Sequence, residues 1–225
     1  PWNNPIAIPI GKLAPALAWG NSVVWKPALE APRLAMLLME SLAEADVPSG
    51  CVNMVFGRSS TAQTLLRDPR IAAISFTGSS AAGRHVAALC SAHGKRLQAE
   101  LGGNNAAVVM AACDIEAAAR DVAEGAFSFA GQRCTAIRRV IVEHTLRHRF
   151  TTALVAAIAE LTIGSPLEPL TRIGPLVSRK AQRRIAATVG AAQAQGGHVL
   201  CGGRIPAGNK HGCWYEPTLL SPSIN

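Results

Sequence analysis

Between Ser22 and Glu100, short apolar or β-branched runs alternate with helix-length amphipathic stretches, and this recurrence limits the possible folds more than any other feature. "SVVW" (22–25), "VNMVF" (52–56), "AAISF" (72–76) and "RLQAE" (96–100) read as four strands. Pro32 opens a helix over "RLAMLLMESLAEA", with Leu34, Leu37, Leu38 and Leu42 on one face. Ser60 and Gln63 form a capping-box pattern for a second short helix, and "AAGRHVAALCS" supplies a third. Strands separated by single helices imply βαβ units and a parallel sheet covered on both faces. Such sheets place ligands outside the carboxyl ends of their strands. Lys26, Thr77 to Ser79 and Glu100 all fall at those ends.

After "LGGNN" (101–105) the alternation resumes with a strand at "AAVVMA" (106–111). Asp114 then suits the N-cap of a helix running through Ala130. "AIRRVIVEH" reads as a strand and "LRHRFTTALVAAIAEL" as a helix. Another helix starts near Ser178, with strands near "HVLCGG" and "CWYEPTLL". The glycine pair Gly102–Gly103 marks the expected boundary between a segment of residues 1–102 and one of 103–225.

Composition narrows the function classes. The 225 residues are 49% hydrophobic and 16% charged, enough apolar material for one large core or two smaller ones. The net charge is +8, but the basic residues are scattered, with arginine doublets at Arg138–Arg139 and Arg183–Arg184. Aromatics at 4% leave little to stack on bases, so a nucleic-acid partner is not expected. Lys12 and interspersed Pro and Gly break the N-terminal apolar run, so no membrane partner is expected either. No basic-apolar-small leader precedes the fold, and the chain begins at Pro1 rather than Met, as a piece of a longer protein would. Six cysteines lack any C-x-x-C pair and six histidines are dispersed, which predicts no metal site. A domain of this size does not need disulfides, so a reduced, cytoplasmic setting is expected.

Five places could carry chemistry. In "AGQRCTAIRRV" (130–140), Cys134 sits among Gln132, Arg133 and Thr135, a donor-rich and cationic setting of the kind that favours a reactive thiolate. A buried structural cysteine is an equal alternative on this stretch alone. Glu100 ends a strand before two glycines, where a carboxylate can act as general base or be a surface glutamate. Asn3 in "PWNNP" could donate its amide to an oxyanion, or be a turn asparagine between prolines. "FTGSSAAG" places Gly78, Ser79 and Gly83 across a strand-to-helix junction where backbone N–H groups can receive a phosphate. As a bare motif it is weak, since it matches neither common phosphate-loop pattern. Lys26 could hold a nucleotide or be solvated.

Taken together and in order, these stretches resemble the aldehyde dehydrogenase superfamily. "PWNNP" resembles its PWNxP segment, "GNSVVWKPALEAP" its cofactor-lysine strand and "FTGSSAAG" its F-T-G-S-x-x-x-G turn. "ELGGNN" resembles its E-L-G-G motif and "GQRCTA" its G-Q-x-C catalytic loop. "IGPLVS" and "GGHVLCGG…GCWYEPTLL" resemble downstream segments, so the likeness runs the length of the chain.

The resemblance implies an α/β fold: a Rossmann-like parallel sheet forming part of a dinucleotide-binding domain over 1–102, then part of a second α/β domain over 103–225 carrying the nucleophile. It implies that Cys134 attacks an aldehyde carbonyl, that Asn3 and the Cys134 N–H hold the oxyanion, and that Glu100 activates water. That glutamate favours hydrolytic members over CoA-acylating ones. Trp2, Lys26, Gly78, Ser79, Gly83 and Leu101 are placed at the cofactor, with Lys26 at the ribose and the Leu101 carbonyl at the nicotinamide amide. NAD-preferring members commonly carry a glutamate three residues after the lysine. Here that position is Leu29, with Glu30 beside it, so NAD and NADP both stay open. The later E-x-F-G-P segment does not occur in these 225 residues. The implied partners are a small aldehyde and, at full length, further copies of the same chain. "GGNN" with "GQRCT" resembles relatives acting on amino-acid-derived semialdehydes. A truncated relative with a structural or interaction role is the alternative from another class.

Overall fold

The computed structural model describes residues 1–207 and 212–222, within two compact units, Pro1–Gly102 and Gly103–Asn225. The first unit runs α1 (Ala7–Ala18), β1 (Val23–Trp25), α2 (Pro32–Glu44), β2 (Val52–Met54), α3 (Ser59–Arg67), β3 (Ala73–Thr77), α4 (Ser80–Ala92) and β4 (Arg96–Glu100). β1 pairs parallel with β2, Val23 opposite Val52, and β3 pairs parallel with β4, Ala73 opposite Arg96. The intervening helices return the chain to the same strand end, which is what makes the pairing parallel. β3 and β4 keep one register throughout, so Thr77 and Glu100 finish side by side. The Gly78 N–H then donates to the Glu100 carbonyl at 3.1 Å.

Two local details differ from the sequence reading. α2 does open at Pro32, but its buried stripe is Ala35 and Leu38, while Leu34 and Leu37 are 40% and 44% exposed. A residue as small as Ala35 lets the helix backbone approach its neighbours, and the contact stripe turns toward it. Ser60 does not cap α3, which starts one residue earlier with no side-chain cap. Just before it, Gly57 lies so close to Thr61 that a Cβ on the glycine would be 1.9 Å from Thr61 Oγ1. Leu66, Val86 and Cys90 form the buried centre between α3 and α4, with Ile74, Phe76 and Leu97 packed against it.

The second unit runs β5 (Asn105–Val109), α5 (Ile115–Phe127), β6 (Ile137–Val142), α6 (Arg147–Ala159), α7 (Arg179–Ala194), β7 (His198–Cys201) and β8 (Leu219–Ser221). β5 and β6 are parallel, β7 and β8 antiparallel. Asp114 caps α5 as expected, its Oδ1 accepting the Ala117 N–H at 3.0 Å. The helix ends at Phe127 rather than Ala130, because Phe129 (φ 56°), Ala130 (φ 54°) and Gly131 (φ 66°) turn left-handed. Ser178 caps α7 in the same way as Asp114 caps α5.

β5 and β6 turn Val109, Ile137, Val140 and Val142 toward α5 and α6, where Ile115, Val122, Phe150, Leu154 and Ile158 complete the core. Strand alternation sends Val108 and Ile141 the other way, and they stand 65% and 54% exposed. Each sheet among the described residues is two strands wide. Phe150 is 1% exposed at the centre of this core. Phe150→Ala will cost about 3–5 kcal/mol through lost transfer energy and an unfilled cavity. A lowered urea midpoint with an unchanged slope will show it; an unchanged midpoint would remove Phe150 from the core.

Among the described residues, no helix is long and apolar enough to cross a membrane.

Candidate active site

On the first unit, the carboxyl edge of β3 and β4 gathers most of the predicted groups. The β3–α4 junction carries Gly78 and Ser79, and Ser79 Oγ accepts the Ala82 N–H at 3.2 Å, so this hydroxyl caps α4. Its engagement there leaves the turn's remaining backbone N–H groups as the donors for a phosphate. Thr77 Oγ1, just before the turn, is buried without a hydrogen-bond partner. α4 has no acidic residue in its first turn, so nothing there opposes an anion. Gly83 faces Leu101: a Cβ at Gly83 would lie 2.4 Å from Leu101 Cδ2, so the glycine is what lets the helix seat against this leucine. Lys26 follows β1 and donates to the Gly57 carbonyl at 3.0 Å and the Pro27 carbonyl at 3.3 Å. These two bonds hold the ammonium at the strand end. A glycine-framed turn, an orphan hydroxyl and a tethered cation fit a dinucleotide.

Glu100 ends β4 with its carboxylate exposed, and Gln98 Nε2 donates to its Oε1 at 3.0 Å. Lys12 reaches from α1 to Gln98 Oε1 and Ser75 Oγ, both at 2.7 Å. Burial lowers the Lys12 pKa from its ordinary value, and the Glu100 charge opposes that shift. Asn3 and Trp2 are half-buried ahead of α1. The helix-start role falls to the neighbouring Asn4, whose Oδ1 accepts the Ala7 N–H at 3.2 Å.

On the second unit, the loop between α5 and β6 carries Cys134. All six cysteines are free; Cys90 is buried, four others are half-buried, and Cys134 is the exposed one. Burial pushes the Cys90 and Cys201 thiols up, as expected of inert structural sulfur. The Cys134 loop is clamped on several sides. Asn105 Nδ2 donates to the Cys134 carbonyl at 2.7 Å and the Ala136 carbonyl at 3.0 Å. Gln132 donates to the Phe129 and Pro175 carbonyls, each at 3.2 Å, and accepts the Val177 N–H at 2.8 Å. The Arg133 guanidinium bonds Ser128 Oγ and lies 5.7 Å from the centre of the Phe129 ring. Its Nε is buried without a partner. Two consecutive non-glycine residues at positive φ, Phe129 and Ala130, hold strain of about 1–3 kcal/mol each. Strain kept in place by this many bonds fits a loop that must present one atom.

The sequence reading did not single out Gln98, Lys12, Ser75 or Asn105. Gln98 was discoverable, since residues two apart on a strand share a face and Glu100 was already a candidate. Lys12 and Asn105 act across sequence separations of 86 and 29 residues, for which local pattern holds no signal.

The first unit thus carries a glycine-framed turn at parallel strand ends, and the second a clamped loop with an exposed cysteine. The family model described as "Aldehyde dehydrogenase family" matches residues 1–223, and the chain belongs to that family. It is 37% identical over 220 residues to a betaine aldehyde dehydrogenase of Cereibacter sphaeroides, covering 98% of this chain and 45% of that protein. It is 36% identical over 223 residues to the alpha-ketoglutaric semialdehyde dehydrogenase of Bacillus subtilis, covering 98% and 46%. Among solved structures, a Staphylococcus aureus betaine aldehyde dehydrogenase in complex with NAD+ superposes with a TM-score of 0.95 at 29% identity, covering 98% of this chain and 44% of that one. The chain thus spans less than half the length of the relatives it matches.

Proposed function

We propose that the protein containing this chain oxidises an aldehyde to a carboxylic acid with NAD or NADP as electron acceptor. The observation that carries this reading is Cys134, the exposed cysteine of six, on a loop fixed by Asn105, Gln132 and Arg133.

The Cys134 thiolate attacks the aldehyde carbon, forming a C–S bond while the carbonyl π pair moves to oxygen. The Asn3 amide and the Cys134 N–H are the donors assigned to that oxyanion. Lys26, the Gly78–Ser79 turn and the Leu101 carbonyl, with Trp2 and Gly83 beside them, would hold NAD or NADP, which when bound would accept the hydride lost from that carbon. The carbon is then at the thioester level. Glu100 takes a proton from water, the resulting hydroxide attacks the thioester, and the C–S bond breaks to return the Cys134 thiolate. One water is consumed and one carboxylic acid released per hydride transferred.

An amino-acid-derived semialdehyde, bearing its own carboxylate, is the substrate class proposed. The basic balance of +8 and the relatives named as semialdehyde dehydrogenases support it. Solved structures similar to the chain are described as an NADP-dependent enzyme and as a complex with NAD+, and Leu29 in place of a ribose-binding carboxylate fits tolerance of NADP.

Thiol labelling tests the reading. With a limiting alkylating reagent, Cys134 will react before the other five cysteines and will be shielded by aldehyde together with oxidised cofactor. Uniform labelling, or labelling unchanged by those ligands, would contradict it.

A further inference from the structure

Gln98 and Glu100 leave the same face of β4, two residues apart. The Gln98 amide is held at both ends. Its oxygen accepts from Lys12 Nζ at 2.7 Å and from Ser75 Oγ at 2.5 Å, while its nitrogen donates to Glu100 Oε1 at 3.0 Å. Chemistry sets this orientation. An ammonium offers three donors and no acceptor, so the Gln98 atom facing Lys12 is the oxygen. The nitrogen then has to face the carboxylate, which in its ionised form only accepts. Three elements, α1, β3 and β4, thus converge on one amide that would otherwise rotate in solvent.

We propose that Gln98 is a positioning residue for Glu100, tethering one carboxylate oxygen so that the other is directed to the water that deacylates the enzyme. This rests on the reading of Glu100 as the general base. Lys12 and Ser75 act through Gln98 by fixing which way its amide points. The role belongs to the second half of the reaction, where the proposed function puts Glu100.

The test is stopped-flow measurement of reduced cofactor on the protein expressed from its complete reading frame, with hexanal as substrate and NAD+ and NADP+ in separate runs. Gln98→Met keeps the side-chain length and removes the tether. Gln98→Glu keeps the acceptor for Lys12 and Ser75, removes the donor to Glu100 and sets a like charge beside it. In both variants the burst of reduced cofactor will stay near one per site, while the following steady rate falls roughly ten- to a hundredfold, the penalty of a misplaced catalytic group. A steady rate within about twofold of the parent in both variants, with Glu100→Gln stalled in the same assay, would overturn the tether and leave the base reading standing. Burst and steady rate falling together would make Gln98 merely structural and also overturn it. If Glu100→Gln turned over like the parent, the base reading itself would fail and this inference with it.

Discussion

Cys134→Ala will abolish aldehyde oxidation, lowering kcat/KM by at least about 10⁴-fold, because no second nucleophile is placed to form the C–S bond. The side chain is exposed, so folding will change by no more than about 0.5 kcal/mol. Cofactor binding will persist, since the groups assigned to the dinucleotide lie on the first unit and do not involve this sulfur. The check pairs an activity assay with cofactor titration on the same sample. Retained oxidation with intact binding would move the nucleophile elsewhere, with Cys113, Cys51, Cys201 and Cys213, the half-buried thiols, next to examine.

The second large effect belongs to Glu100→Gln. The substitution keeps the size of the side chain but removes the negative oxygen that takes the water proton. Thioester formation will proceed and release, on mixing, one reduced cofactor per site. Steady turnover will then fall by about 10²–10⁴-fold, the usual worth of a positioned general base. Pre-steady-state absorbance separates the two phases directly. Steady turnover equal to that of the parent would assign the base to another group. A missing burst would mean that Glu100 also serves the first half of the reaction.

How far these residues were legible from sequence depended on the range of the interactions that fix them. β3 was readable because an apolar run bounded by breakers carries a local signal, and Asp114 because a cap acts on N–H groups within one turn. The Cys134 stretch alone left nucleophile and buried cysteine evenly matched. What separates them in the structure is exposure, together with clamps from Asn105 and from the Pro175–Val177 backbone, none of them local. The early end of α5 escaped pattern reading for a similar reason. Phe129 and Ala130 have no local preference for positive φ, and bonds made by Gln132 and Arg133 are what keep the loop there. The Ser60 cap failed because α3 starts one residue earlier, at Ser59, and a spacing rule does not fix a helix start to one residue. The order of family motifs carried more information than any one of them, since residues that are ambiguous singly are constrained by one another's roles.

The central claim is a covalent acyl intermediate on Cys134, and mass spectrometry addresses it most directly. Glu100→Gln protein is mixed with hexanal and oxidised cofactor, quenched in acid at the end of the burst, digested and weighed. The account predicts a hexanoyl group on the peptide containing Cys134, in amount equal to the reduced cofactor formed. Reduced cofactor formed in that amount with the acyl group on another cysteine, or on none, would contradict it.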